Sequence, residues 1–109
     1  KRMAATGTGH LSLELGGPRQ FMETGPDPVF DRQAREWFRT GDIDAILDSV
    51  THETMAKSGN ATHGFLNFIL MMGVAGPQPA DYVDFLDLFH TMEAYVTWYP
   101  QSDAKEQAA

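Results

Sequence analysis

Gly59-Asn60-Ala61-Thr62-His63-Gly64-Phe65-Leu66-Asn67-Phe68-Ile69-Leu70-Met71-Met72-Gly73 is the stretch around which the chain is organised. It reads as a polar turn feeding a helix over 61–73. Phe65, Phe68, Ile69 and Met72 follow the i, i+3, i+4, i+7 spacing of a helix face, and Leu66, Leu70 and Met71 fill most of the remaining arc. A helix apolar nearly all the way round is expected to be buried on most sides. Spanning a bilayer takes roughly 20 apolar residues, far more than this segment has. The polar side chains near its start are His63 and Asn67, four apart and therefore on one face.

Upstream, His10-Leu11-Ser12-Leu13-Glu14-Leu15 alternates strictly, which predicts a strand over 3–15 with three leucines inward and His10, Ser12 and Glu14 on a half-solvated face. Gly16-Gly17-Pro18 ends it. Asp27-Pro28 starts a helix expected over 28–40, with Phe30, Ala34, Trp37 and Phe38 as its buried stripe, Asp31 and Arg35 as an i, i+4 ion pair, and Gly41 as its stop. Asp42 caps a second helix over 43–50, and Thr51 caps a third over 52–58. These three helices read as packing material.

Downstream, Gly76-Pro77-Gln78-Pro79 forms a rigid loop. The segment 82–88 fits either a helix, through Val83, Phe85, Leu86 and the following Phe89, or a strand whose outward side is Tyr82, Asp84, Leu86 and Leu88. An end segment follows over 90–99, and the polar, Ala-rich residues 101–109 read as a disordered tail. The expected organisation is one α/β domain over 1–100, which at this size buries about two-thirds of its unfolded surface.

The 109 residues carry a net charge of −7, and no Lys or Arg lies between Lys57 and Lys105. A duplex-binding surface needs clustered cations, so nucleic acid is not an expected partner. No cysteine is present, which excludes a disulfide scaffold or a thiolate metal site. With no signal-peptide pattern and no spanning segment, a cytoplasmic protein that does not enter membranes is the default expectation. The histidines are His10, His52, His63 and His90. A histidine taken singly is more often a surface or hydrogen-bonded interior residue than a ligand. His52, in the first turn of an exposed helix, reads as bland, whereas His10, His63 and His90 lie at element ends or beside glycines, where sites are usually built. Tyr82, Phe89, Tyr95, Trp98 and Tyr99 are candidates for a ring-shaped pocket or, more simply, for core.

Thr8-Gly9-His10-Leu11-Ser12-Leu13-Glu14-Leu15-Gly16-Gly17-Pro18-Arg19 resembles the late strand and turn of LigB-type (class III) extradiol ring-cleavage dioxygenases. Gly59-Asn60-Ala61-Thr62-His63, with Leu66-Asn67-Phe68-Ile69 and Gly73, is similar to their later helix. His90-Thr91, Ala94-Tyr95-Val96 and Trp98 are similar to the closing segment. The resemblance covers about residues 4–100 and implies the carboxy-terminal portion of a LigB-like α/β domain. It also implies cleavage of a catechol-type aromatic ring by O₂ with non-haem Fe(II), a metal that must keep open positions for both reactants. On this resemblance His10 and Glu14 are the catalytic candidates, and His63, Asn67, His90, Thr91 and Tyr95 the substrate-binding candidates. Two family iron-binding histidines fall in an amino-terminal part that this chain does not contain. The family's Glu ligand follows the Thr-His of the Gly-Asn turn, where this chain has Gly64. The family's acid-base His, in members that place it after the strand Ser, falls at Leu13. The alternative implied is a non-catalytic LigB-like subunit paired with an active one, and association with a second copy or a partner subunit is expected in either case. Alone, the 109 residues are expected to be inactive.

Overall fold

The computed structural model describes residues 3–20, 25–88 and 91–99. In chain order these form β1 (Ala5–Leu13), α1 (Pro28–Thr40), α2 (Ile43–Ser49), α3 (His52–Ser58), a 3₁₀ turn (Thr62–Phe65), α4 (Leu66–Ala75), β2 (Tyr82–Leu88) and β3 (Thr91–Trp98). The strands make one antiparallel sheet in the order β1-β3-β2, so the last strand runs between the first and its own hairpin partner. The expected α/β class is thus realised as a small mixed domain. His90 and Phe89 lie outside the described residues, as does the expected tail.

α1 forms where local chemistry says it should. The Asp27 carboxylate accepts from the Phe30 backbone N–H at 3.0 Å, Pro28 occupies the first turn, and Gly41 closes the helix at φ 68 with its N–H on the Trp37 carbonyl. Its stripe meets α4 and β3 in an aromatic core. Phe38 lies 5.1 Å from Phe68 and 5.9 Å from Phe65, Phe30 lies 5.2 Å from Phe65, and Trp98 closes against Phe38 at 6.2 Å. Edge-on and tilted aromatic pairs of this kind contribute about 0.5–1.5 kcal/mol each beyond the area they bury. The ambiguous segment 82–88 is a strand: Val83 and Phe85 turn toward the core, and Tyr82, Asp84, Leu86 and Leu88 turn outward.

Three expectations are corrected. The helix expected over 61–73 begins as a 3₁₀ turn and is buried on one side only. Phe68, Met72 and Ala75 face the core, while Leu66, Leu70 and Val74 are 47%, 64% and 58% exposed. Apolar composition does not say which arc will be covered, and a three-stranded sheet with α1 beside it covers only one. The strand expected over 3–15 spans Ala5–Leu13, and its alternation breaks at a bulge between His10 and Leu13. A bulge inserts a residue and turns the strand, so Leu11, Ser12, Leu13 and Glu14 are all buried and Leu15 is exposed. Asp31 does not face Arg35 across the surface of α1. It turns inward, and the Arg35 guanidinium lies over the Phe85 ring at 5.0 Å.

Candidate functional site

The end of β1 and the Gly59–Thr62 loop are zipped together. Ala61 N–H donates to the Leu13 carbonyl at 3.0 Å, and Leu13 N–H donates to Thr62 Oγ1 at 3.1 Å. The Asn60 side chain imitates a strand partner: its Oδ1 accepts from Leu15 N–H at 2.8 Å, and its Nδ2 donates to the Leu15 carbonyl at 2.7 Å. On the other side of β1, Thr91 Oγ1 donates to the Ser12 carbonyl at 2.8 Å. Asn60 and Thr62 thus satisfy backbone groups that an edge strand would leave open.

This zipper sets His10 against Gly64. His10 Nδ1 lies 3.1 Å from the Leu11 carbonyl. A carbonyl only accepts, so Nδ1 carries the proton, and in the neutral ring Nε2 holds the free lone pair. A Cβ built on Gly64 would lie 2.7 Å from His10 Nε2 and Cε1. His10 therefore presents its basic nitrogen to the start of the 3₁₀ turn, across a position that carries no side chain.

The other candidates are distributed as follows. Glu14 is committed to Arg19: Nη2 donates to Oε1 at 2.8 Å and the Arg19 backbone N–H to Oε2 at 3.1 Å, while Arg19 Nη1 donates to the Lys57 carbonyl. Those hydrogen bonds hold the Glu14 carboxyl below its ordinary range. Thr91 is buried and bound to Ser12. Tyr95 is on the outer face of the sheet with its hydroxyl donating to Glu93 at 2.9 Å, a bond that holds the phenol pKa above its ordinary value. Asn67 lines a shallow depression of about 240 Å³ with Thr6, Gly7, Thr8, Leu70 and Met71, which neither His10 nor His63 lines. Trp98 is core, whereas Tyr82, Tyr95 and Tyr99 are exposed, so the described aromatics do not close on a ring-shaped pocket.

His63 is joined by a residue that local spacing had set aside. Its Nε2 lies 3.1 Å from His52 Nδ1, with the two ring centroids 4.8 Å apart. They lie eleven positions apart in the chain, and only the packing of α3 on the 3₁₀ turn brings them together. No local signal in the sequence announces the pair.

Beneath β1 runs a buried polar network. Ser12 N–H donates to Asp31 Oδ1 at 2.8 Å and Ser12 Oγ to Oδ2 at 3.0 Å. Asp27 N–H in turn donates to Ser12 Oγ, and Ser58 Oγ to Asp27 Oδ2. Burial pushes the Asp31 carboxyl from its ordinary 3.8 up to about 6, against the opposing pull of the Ser12 donors. A carboxyl raised in the folded state binds its proton more tightly there than in the unfolded chain. Its stabilising contribution is complete below about pH 3.8 and is lost as pH rises through about 6. Asp31→Asn removes that titration while keeping an acceptor for Ser12 N–H. Urea unfolding across this range should show the variant gaining stability relative to the parent as pH rises from 4 to 7. A pH-independent difference between the two would contradict the assignment.

No protein-family model, curated protein or solved structure matches this chain. Among the described residues no helix is long and apolar enough to cross a membrane, and no three His, Cys, Asp or Glu side chains are grouped to hold a metal ion.

Proposed function

We propose that this chain is part of a LigB-type extradiol dioxygenase domain acting on a catechol-type ring with O₂, and that its contribution is proton handling by His10. The observation that carries the reading is the meeting of the two resembling segments. The His10 strand and the Gly-Asn-Ala-Thr-His loop, far apart in sequence, are hydrogen-bonded into one unit with the free Nε2 of His10 facing position 64. Opening a catechol needs a base for the hydroxyl proton, and a half-buried imidazole with one nitrogen fixed by a carbonyl suits that task.

Fe(II) does not fit the described residues. They hold no three-ligand group, and the residue in the place of the family's carboxylate is Gly64. The proposal accordingly assigns this chain no iron ligand, and the 109 residues alone should not retain stoichiometric Fe(II) through gel filtration. In the ring-cleaving protein that carries this chain, His10→Ala should lower kcat by about 10²–10⁴-fold with KM nearly unchanged. An unchanged kcat would overturn the role.

Gly64 specifically favours a second reading, a non-catalytic subunit that keeps the fold and pairs with an active one. Two neutral imidazoles without a carboxylate make a weak, unselective iron site. Gly64→Glu places a carboxylate beside His10 once the ring shifts away from the new Cβ. Under this reading the substitution raises iron affinity in an inactive full-length parent that carries the family's two upstream histidines. Unchanged affinity, together with ring cleavage by the parent, rejects it.

A further inference from the structure

Independently of the ring-cleavage reading, we propose that His52 and His63 form a two-imidazole chelate for a borderline divalent ion such as Zn(II), Cu(II) or Ni(II). Both backbones are held before any ion arrives. The start of α3 is closed by reciprocal bonds, Thr54 N–H to Thr51 Oγ1 at 3.1 Å and Thr51 N–H to Thr54 Oγ1 at 2.9 Å. The 3₁₀ turn is anchored by fully buried Thr62, whose Oγ1 accepts from Leu13 N–H. His52 Nδ1 and His63 Nε2 converge to 3.1 Å. Two nitrogens at about 2.0–2.1 Å from one metal stand about 3.3 Å apart at a tetrahedral angle and about 2.9 Å apart at a right angle. The observed separation lies between these values. The ion would take the place of the proton shared by the rings, sitting to one side of the N···N line. That requires a small turn of the rings, which the exposed His52 is free to make.

Imidazole nitrogen selects Zn(II), Cu(II) and Ni(II) over Mg(II) and Ca(II), which prefer oxygen. With two protein ligands the remaining positions fall to water, so the site is open. The test is calorimetric titration of the iron-free protein with Zn(II), alongside electron paramagnetic resonance of the Cu(II)-loaded form. The parent should bind one equivalent saturably, with two imidazole nitrogens on copper. His52→Ala and His63→Ala should each weaken binding at least tenfold and leave a single nitrogen, and Mg(II) should not compete. His52 is exposed, so circular dichroism of His52→Ala should match the parent. Parent-like binding by His52→Ala, or no saturable binding by the parent, would overturn the chelate. No substrate or iron enters the measurement, so failure here leaves the ring-cleavage reading where it stood.

Discussion

Phe68→Asp is expected to unfold the domain. Phe68 is fully buried, its ring 5.1 Å from Phe38 and 5.6 Å from Phe65. It also packs against β1, where Gly7 and Gly9 make room: a Cβ at Gly7 would stand 3.0 Å from the ring. The residue therefore ties α4, α1 and β1 together. A carboxylate there would stand among the Phe38 and Phe65 rings, and an unpaired buried charge costs several kcal/mol or more. Loss of the ring adds about 3–5 kcal/mol on the scale of aromatic-to-alanine truncations. Domains of this size have about 5–15 kcal/mol in total. Far-ultraviolet circular dichroism of the variant should show an unfolded chain at 25 °C, and Phe68→Leu should remain folded with a lowered urea midpoint. A cooperative transition for Phe68→Asp at the parent's midpoint would disprove the placement of α4.

Gly59→Ala should cost about 3 kcal/mol or more, summed from backbone strain and the hydrogen bonds it displaces. Gly59 has φ 145, and a Cβ on it would stand 2.2 Å from the Leu13 carbonyl oxygen. That neighbour is backbone inside the sheet and cannot swing aside. The loop must lift, which strains or breaks the Ala61–Leu13 and Asn60–Leu15 bonds and moves Gly64 away from His10. Gly73→Ala serves as the contrast. Gly73 lies within α4 with nothing within 4 Å of the Cβ position, so alanine should stabilise by about 0.5–1 kcal/mol through helix propensity. Urea unfolding of the two variants should shift the midpoint in opposite directions. Equal shifts would mean that the Gly59 loop does not bear on β1 as described.

The local elements of this fold were written in short-range chemistry. A cap, a first-turn proline, a stripe at helical spacing and a closing glycine define α1 between Asp27 and Gly41, and each acts through neighbours in the chain. The capping residues of α2 and α3 are legible for the same reason. Long-range pairing decided the rest. β1 reads as a regular alternating strand, yet its antiparallel register with β3 slips between His10 and Leu13, and that slip buries Ser12 onto Asp31. Asp31 has Arg35 at the right helical spacing, but the core side of α1 offers two donors from Ser12, which outweigh one exposed ion pair. α4 is apolar on nearly every side, so composition alone leaves its orientation open, and the single sheet beside it selected the Phe68 face. The candidate site follows the same division. His10 and Gly64 were each visible as residues, but their contact exists only because loop 59–62 docks on the end of β1, and that of His52 with His63 only because α3 packs on the 3₁₀ turn. A sequence records each side chain's reach and chemistry. Which distant backbone satisfies an open hydrogen bond is settled only when the whole domain closes.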